Sequence, residues 1–244
     1  MKSKIITICA AILCSYSLQA QHAHYYIGTP RNEVGKIVKT LNDGSSIIAG
    51  YIYDLDTNGD PINADNLCFR VAANGSIMWQ KEWGTSSVGD NDFIRDMIIT
   101  NDGQYVICAG VAASVSLYNG NYAALYKLDI NTGTIVNQLF MRKTPLNSAG
   151  EVFNGVCETS HGDFVVVGGT NAQPTTADAM GSLIDGNTFT DVYDVAIPLS
   201  DSNSDAFTSV LADGNTVYIA GYDLDGAATP PTTLYDQVIM GFDP

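Results

Sequence analysis

The chain has 244 residues, with 26 acidic side chains against 11 basic ones and a formal net charge of −15 at pH 7. That surplus repels phosphate backbones and argues against nucleic acid as a partner. A hydrophobic fraction of 45% at this length suffices for a substantial core, and Gly, Asn and Asp punctuation between short runs of Val, Ile and Tyr points to an all-β domain.

The chain opens with Lys2 and Lys4, an apolar run from Ile5 to Leu13, and Leu18-Gln19-Ala20, which supplies the small residue a signal peptidase needs. Residues 1–20 therefore read as a secretory signal, too short to span a bilayer. Leu13 stands before Cys14 where a lipoprotein signal has a small residue, so no lipid anchor is expected. Cleavage after Ala20 removes two lysines and no acids, leaving 9 basic and 26 acidic residues and a charge of −17. The remaining cysteines, Cys68, Cys108 and Cys157, each sit in an apolar run with no nearby His. They read as buried thiols rather than a disulfide framework.

From residue 34 onward the chain repeats. Asp43-Gly44, Asp102-Gly103, His161-Gly162 and Asp213-Gly214 each precede an apolar strand that reaches a glycine, at Gly50, Gly110, Gly169 and Gly221, giving steps of 60, 59 and 52 residues. A period of this kind marks a repeat architecture. The second unit shows four strand candidates, Phe93–Thr100, Gln104–Ala109, Tyr122–Asp129 and Thr134–Met141, which is the pattern of a propeller blade. The other units run over 34–84, 152–199 and 207–244. The fourth lacks its last strand, since Val238–Asp243 aligns with Ala124–Asp129. The segment His24–Thr29 matches Lys81–Thr85, the end of a complete unit. The expected fold is all-β, one domain over 21–244, a β-propeller of four blades of four antiparallel strands closed by the N-terminal strand; an interrupted copy of a longer propeller of seven or eight blades is the alternative.

Carboxylates recur in register. Glu33, Asp92 and Glu151 lie ten residues before the turn and Asp205 eight before it; Asp65, Asp178 and Asp236 open the third strand, and Asp129, Asp185 and Asp243 close it. Acids repeated in every unit are expected to cap local backbone N–H groups.

The succession of Asp-Gly, β-branched strand, Ala-Gly, variable loop and Leu125-Tyr126-Lys127-Leu128-Asp129 with Thr132-Gly133 resembles the repeats of secreted β-propeller proteins of Bacteroidetes-type bacteria. Units of that family often end as Trp79 and Trp83-Gly84 do here. The resemblance implies a propeller fold and export to the cell surface, the medium or the periplasm. The segment Leu128–Ile135 is also similar to quinoprotein dehydrogenase repeats, but Asn137 holds the place of their tryptophan, so no quinone cofactor is expected.

Functional candidates are features found in a single unit. Between the second and third strands of the first unit, Asp54, Asp56, Asn58, Asp60 and Asp65 fall at places 1, 3, 5, 7 and 12 of a stretch with Gly59 at place 6. Alternating oxygen side chains folded over a glycine converge on a cation, so these five residues are the expected calcium ligands, with Asp65 where such loops carry Glu. The four second-to-third-strand loops share one face and hold Tyr51, Tyr53, Tyr118, Tyr222 and Tyr235, aromatic plates suited to a carbohydrate or a protein partner. His22, His24 and His161 assemble neither a zinc triad nor a Ser-His-Asp set, and Lys39, Asp96 and Glu158 are the charged candidates for the central channel. The expectation is a secreted, non-enzymatic binding propeller; the alternatives are a glycan-cleaving hydrolase or lyase on the same scaffold and a fragment of a larger surface propeller protein.

Overall fold

The computed structural model describes residues 31–84, 91–113, 121–142, 150–173, 176–197, 205–225 and 234–242. The signal segment 1–20, the segment 24–29 and Tyr118 lie outside the described residues, as does the side chain of Tyr235. Among the described residues there are fifteen strands, and no helix is long and apolar enough to cross a membrane.

The strands form four antiparallel meanders in chain order. The first sheet is β1 (Asn32–Thr40), β2 (Ser46–Leu55), β3 (Pro61–Val71) and β4 (Ile77–Trp83); the second is β5 (Phe93–Ile99), β6 (Tyr105–Ala113), β7 (Asn121–Asp129) and β8 (Ile135–Met141). The third is β9 (Glu151–Glu158), β10 (Phe164–Gln173), β11 (Thr176–Ile184) and β12 (Asp191–Ile197), and the fourth has three strands, β13 (Ala206–Asp213), β14 (Thr216–Asp225) and β15 (Leu234–Phe242). Successive sheets pack face to face, β1–β3 on β5, β5–β7 on β9 and β9–β11 on β13. Repeated four-stranded meanders packed this way are the blades of a β-propeller.

Two glycine columns shape every blade. Gly44, Gly103, Gly162 and Gly214 have φ of 80°, 69°, 87° and 60°, a left-handed turn conformation that a Cβ disfavours. The glycine in the middle of each second strand has a different task. A Cβ on Gly50, Gly110, Gly168 or Gly221 would overlap the carbonyl oxygen of Val34, Phe93, Val152 or Ala206. At each place the innermost strand is bulged, for instance between Gly35 and Ile37 and between Ile94 and Asp96. This corrects the sequence reading twice. The third member of the column is Gly168, not Gly169, and the glycine does not close the strand, which in blade two runs on to Ala113.

The core consists of interblade layers. Ile47, Ala49, Cys68 and Trp79 of blade one meet Met97, Cys108, Tyr126 and Leu128 of blade two, and Ile107, Ala109 and Leu125 meet Phe153, Val156 and Val166. Val165 and Val167 meet Phe207, Val210 and Val217. Each large aliphatic or Phe side chain buried in these layers contributes about 1.5–3 kcal/mol. Polar ties repeat along the row: Arg70 Nη1 donates to Ile130 O, and one blade later Lys127 Nζ donates to Gly186 O. The acids that close the third strand act as expected at Asp129 and Asp185, whereas Asp65, also expected to cap in this way, leaves Oδ1 without a partner. Asp129 Oδ1 accepts the Thr132 hydroxyl and the N–H groups of Thr132 and Asn131, Asp185 Oδ1 accepts the N–H groups of Thr188 and Asn187, and these bonds, led by the Thr132 hydroxyl and the Thr188 N–H, hold both acids below the usual carboxylate range.

The two ends of the row differ. Blade one turns Ile52, Leu67, Phe69 and Val71 away from blade two, and all four are buried. In blade four, Tyr218 occupies the column of Ile47, Ile107 and Val165; those three are at most 3% exposed, whereas Tyr218 is 45% and its cross-strand neighbour Leu211 63% exposed.

Candidate functional site

The stretch expected to be a twelve-residue calcium loop is mostly hairpin. β2 runs to Leu55 and β3 begins at Pro61, with Ile52 opposite Asp65 and Asp54 opposite Asn63. Only residues 56–60 form the turn, closed by Asp56 N–H to Asp60 O (2.8 Å), with Gly59 at φ 89°. The alternating apolar and β-branched residues on both sides favour pairing over a loop wrapped round a centre.

This pairing divides the five proposed ligands. Asp56 Oδ1 accepts the N–H of Asn58 (2.8 Å) and of Asp60 (2.9 Å), and the bonds from Asp60 and then Asn58 lower its pKa. Asn58 and Asp60 stand exposed on the same turn. Asp54, on the second rung from the turn, and Asp65, on the fourth, come together with Glu82 of β4, their carboxylate oxygens all within 4.8 Å of one another. Glu82 joins them because β4 pairs with β3 so that Glu82 lies opposite Leu67, two residues from Asp65 on the same face.

One cation serves this cluster. Arg31 Nη1 donates to Asp54 Oδ1 at 2.7 Å and Nη2 to Glu82 Oε2, and the Glu82 bond is the main cause of a raised Arg31 pKa. Asp65 is outside that arrangement. Its Oδ1 is buried with no hydrogen-bond partner. Burial, followed by the negative charges of Asp54, Asp92 and Glu82, pushes Asp65 up to about 6. Gly84 leaves room for it, since a Cβ there would overlap Asp65 Oδ1 and fall 2.8 Å from Asp92 Oδ2. Asp92 is itself a fixed part of the scaffold: its N–H donates to Ala64 O and its Oδ1 accepts the N–H of Ala113. A set of carboxylate oxygens with one member unsatisfied has the donor chemistry of a hard divalent cation such as calcium.

The opposite face of the hairpin carries the tyrosines. Tyr51 and Tyr53 meet edge to face with centroids 5.3 Å apart, and Phe93 at the start of β5 meets Tyr51 at 4.9 Å. Lys36 Nζ lies 5.5 Å from the Tyr51 centroid. Tyr51 is thus engaged by three neighbours, and Tyr53, half-buried, is held by a hydrogen bond with Tyr51 that raises its pKa. Tyr222 takes the column of Tyr51 in blade four, opposite Ala206 of β13. Tyr235 lies in β15 opposite Leu224. Phe93 and Lys36 were not legible as members of this group, because blade-to-blade contact brings in the first and the bulge in β1 the second.

Two of the three channel candidates, Asp96 and Glu158, are structural ties. Asp96 Oδ2 accepts the N–H of Val156 at 3.0 Å, and Glu158 Oε2 accepts that of Asn101 at 2.5 Å, joining blades two and three from both sides. Burial raises the Glu158 pKa. Lys39 is exposed, and His161 sits on its turn 3.5 Å from Ser160 Oγ.

No family model matches the sequence, and no curated protein matches it. Among solved structures, a luciferin-regenerating enzyme superposes with a TM-score of 0.46 at 15% identity, over 86% of this chain and 61% of that one. BamB from Moraxella catarrhalis superposes with a TM-score of 0.40 at 15% identity, over 79% of this chain and 63% of that one, and the Dos1 propeller with 0.38 at 11%, over 82% and 56%. The chain spans less than two thirds of the length of each.

Proposed function

We propose that the protein is an exported, non-enzymatic β-propeller that binds a carbohydrate or protein partner on its β2–β3 hairpin face, with calcium bracing the first hairpin through Asp54, Asp65 and Glu82. In this reading residues 24–29 form the fourth strand of blade four and close a ring of four blades. Each complete blade hands its outermost strand directly to the innermost strand of the next, and the segment before β1 stands in that same place.

The observation that carries the reading is the unsatisfied Asp65 carboxylate within a three-acid cluster, on the same hairpin that presents Tyr53. Calcium favours oxygen ligands from several acids and would offset the repulsion that raises Asp65. The tyrosine pair offers a partner an amphipathic surface at small entropic cost.

Thermal unfolding of the full chain with calcium and with chelator tests the cation, and a glycan array read with Tyr53→Ala beside the unaltered protein tests the surface. The reading expects a calcium-dependent rise in Tm and glycan or protein binding that Tyr53→Ala weakens at least tenfold. A Tm indifferent to calcium removes the brace. Turnover of a glycan that Glu82→Gln abolishes replaces the binding role with a hydrolytic one.

A further inference from the structure

One rung of blade one carries polar side-chain atoms where the same rung of the other complete blades is apolar. Asn66 of β3 lies opposite Trp83 of β4, whereas blade two has Ala123 opposite Met141 and blade three has Ala179 opposite Ile197. The rungs correspond because the strand-two glycines Gly50, Gly110 and Gly168 pair with the next residues along, Leu67, Ala124 and Met180. Asn66 is fully buried, and neither its Oδ1 nor its Nδ2 has a hydrogen-bond partner among the described residues; the same holds for the buried Nε1 of Trp83. Residues directly opposite on one face of a sheet have Cβ atoms about 5 Å apart, so the orphaned groups are neighbours. Across the blade boundary the Tyr126 ring meets the Trp83 ring edge to face, with centroids 5.3 Å apart. Burial, and after it the charge of Asp92, pushes the Tyr126 pKa up, while Trp83 and Asn66, both within reach of its hydroxyl, act the other way. Trp79, on the same strand, is the contrast: its Nε1 donates to Ile130 O at 2.9 Å.

We propose that Asn66 and Trp83 form a binding site for one internal water molecule, which ties β3 and β4 of blade one to Tyr126 of blade two. A buried amide or indole N–H left unpaired destabilises the fold, and a bridging water removes that cost. The donor set selects the occupant. Trp83 Nε1 only donates and so repels a cation; Asn66 Oδ1 only accepts and, with Asp92 acting on the same spot, disfavours an anion. Water accepts from Trp83 Nε1 and donates to Asn66 Oδ1, with the Tyr126 hydroxyl as a third partner. Trp83 packs on the layer shared with blade two, whereas Asp65 lies with Leu67 on the face turned away from it. The water site is therefore independent of the proposed calcium site.

The test is nuclear magnetic resonance on the full chain, labelled with nitrogen-15 at its two tryptophans, Trp79 and Trp83. The indole signal lost in Trp83→Phe assigns the pair. NOESY and ROESY spectra then read each indole N–H against the water resonance. The expected result is a Trp83 cross-peak to water whose sign differs between the two experiments, the mark of a water held in place rather than of hydrogen exchange, and none at Trp79. The cross-peak is expected to persist in Tyr126→Phe, which removes the hydroxyl whose exchange would mimic a water. It is expected to vanish in Asn66→Leu, with a Tm loss of about 5 °C. A Trp83 signal with no water cross-peak, equal cross-peaks at both indoles, loss of the peak in Tyr126→Phe or its survival in Asn66→Leu overturns the proposal. The comparison of the two indoles in the unaltered chain decides even if a variant does not fold.

Discussion

The tip and the base of the first hairpin carry the same residue type and treat it in opposite ways. At the tip, Asp56 turns its carboxylate on the N–H groups of its own turn, which hold it ionised. At the base, Asp65 faces Asp54, Glu82 and Asp92 and leaves one oxygen buried without a donor. Acids that alternate along a turn satisfy themselves locally, whereas acids brought together by cross-strand register accumulate charge that Arg31, paired with Asp54 and Glu82, offsets only in part. The carboxylates therefore collect two to four rungs below the turn rather than at its tip.

The contrast can be broken most forcefully with metal. Calcium at a hundredfold excess over its Kd is expected to raise Tm by about 5–10 °C at pH 7.5, an effect lost in Asp65→Asn and kept in Asp56→Asn, as followed by circular dichroism. Removing the cation already present comes next. Arg31→Leu without calcium is expected to cost about 1 kcal/mol in urea unfolding and to enlarge the calcium response, since two more carboxylates are then uncompensated.

A smaller effect distinguishes tip from base by pH. Asp65 titrates near 6 in the folded chain and near 3.8 unfolded, so between those values the native state holds more protons and stability falls as pH rises. Asp65→Asn is expected to raise Tm above pH 6 without metal and to leave it unchanged below pH 3.8. Asp43, Asp56, Asp102, Asp129 and Asp185 are shifted the other way. Their stabilisation is present above the unfolded value and is lost as pH falls through their lower folded values, so the metal-free optimum is expected at the low end of the window in which Asp65 titrates, about pH 4 to 5, and calcium is expected to move it upward. The smallest change is Asp56→Ala, a Tm loss of about 1–2 °C from the missing turn bonds with the calcium shift intact.

The same division marks what was legible in the sequence. Four units, their turn glycines and their capping acids could be read because each depends on neighbours within a few residues. Gly168 was displaced by one because Gly168-Gly169 offers two candidates, and only the carbonyl of Val152 across the bulge selects between them. Glu82, Arg31 and Phe93 carried no local signal. Glu82 reaches the cluster through β3–β4 register, Arg31 through side-chain bonds to β2 and β4, and Phe93 through the packing of the next blade. Tyr218 shows the limit from the other side: in the strand pattern it matches Ile47, yet it is exposed where Ile47 is sealed.

The most direct test of the base of the hairpin is a calorimetric calcium titration at pH 7.5 of the full chain beside Asp65→Asn and Asp56→Asn. One calcium bound by the unaltered chain and by Asp56→Asn, and none by Asp65→Asn, is the predicted result. Binding that survives in Asp65→Asn but disappears in Asp56→Asn would place the metal at the tip and contradict the account.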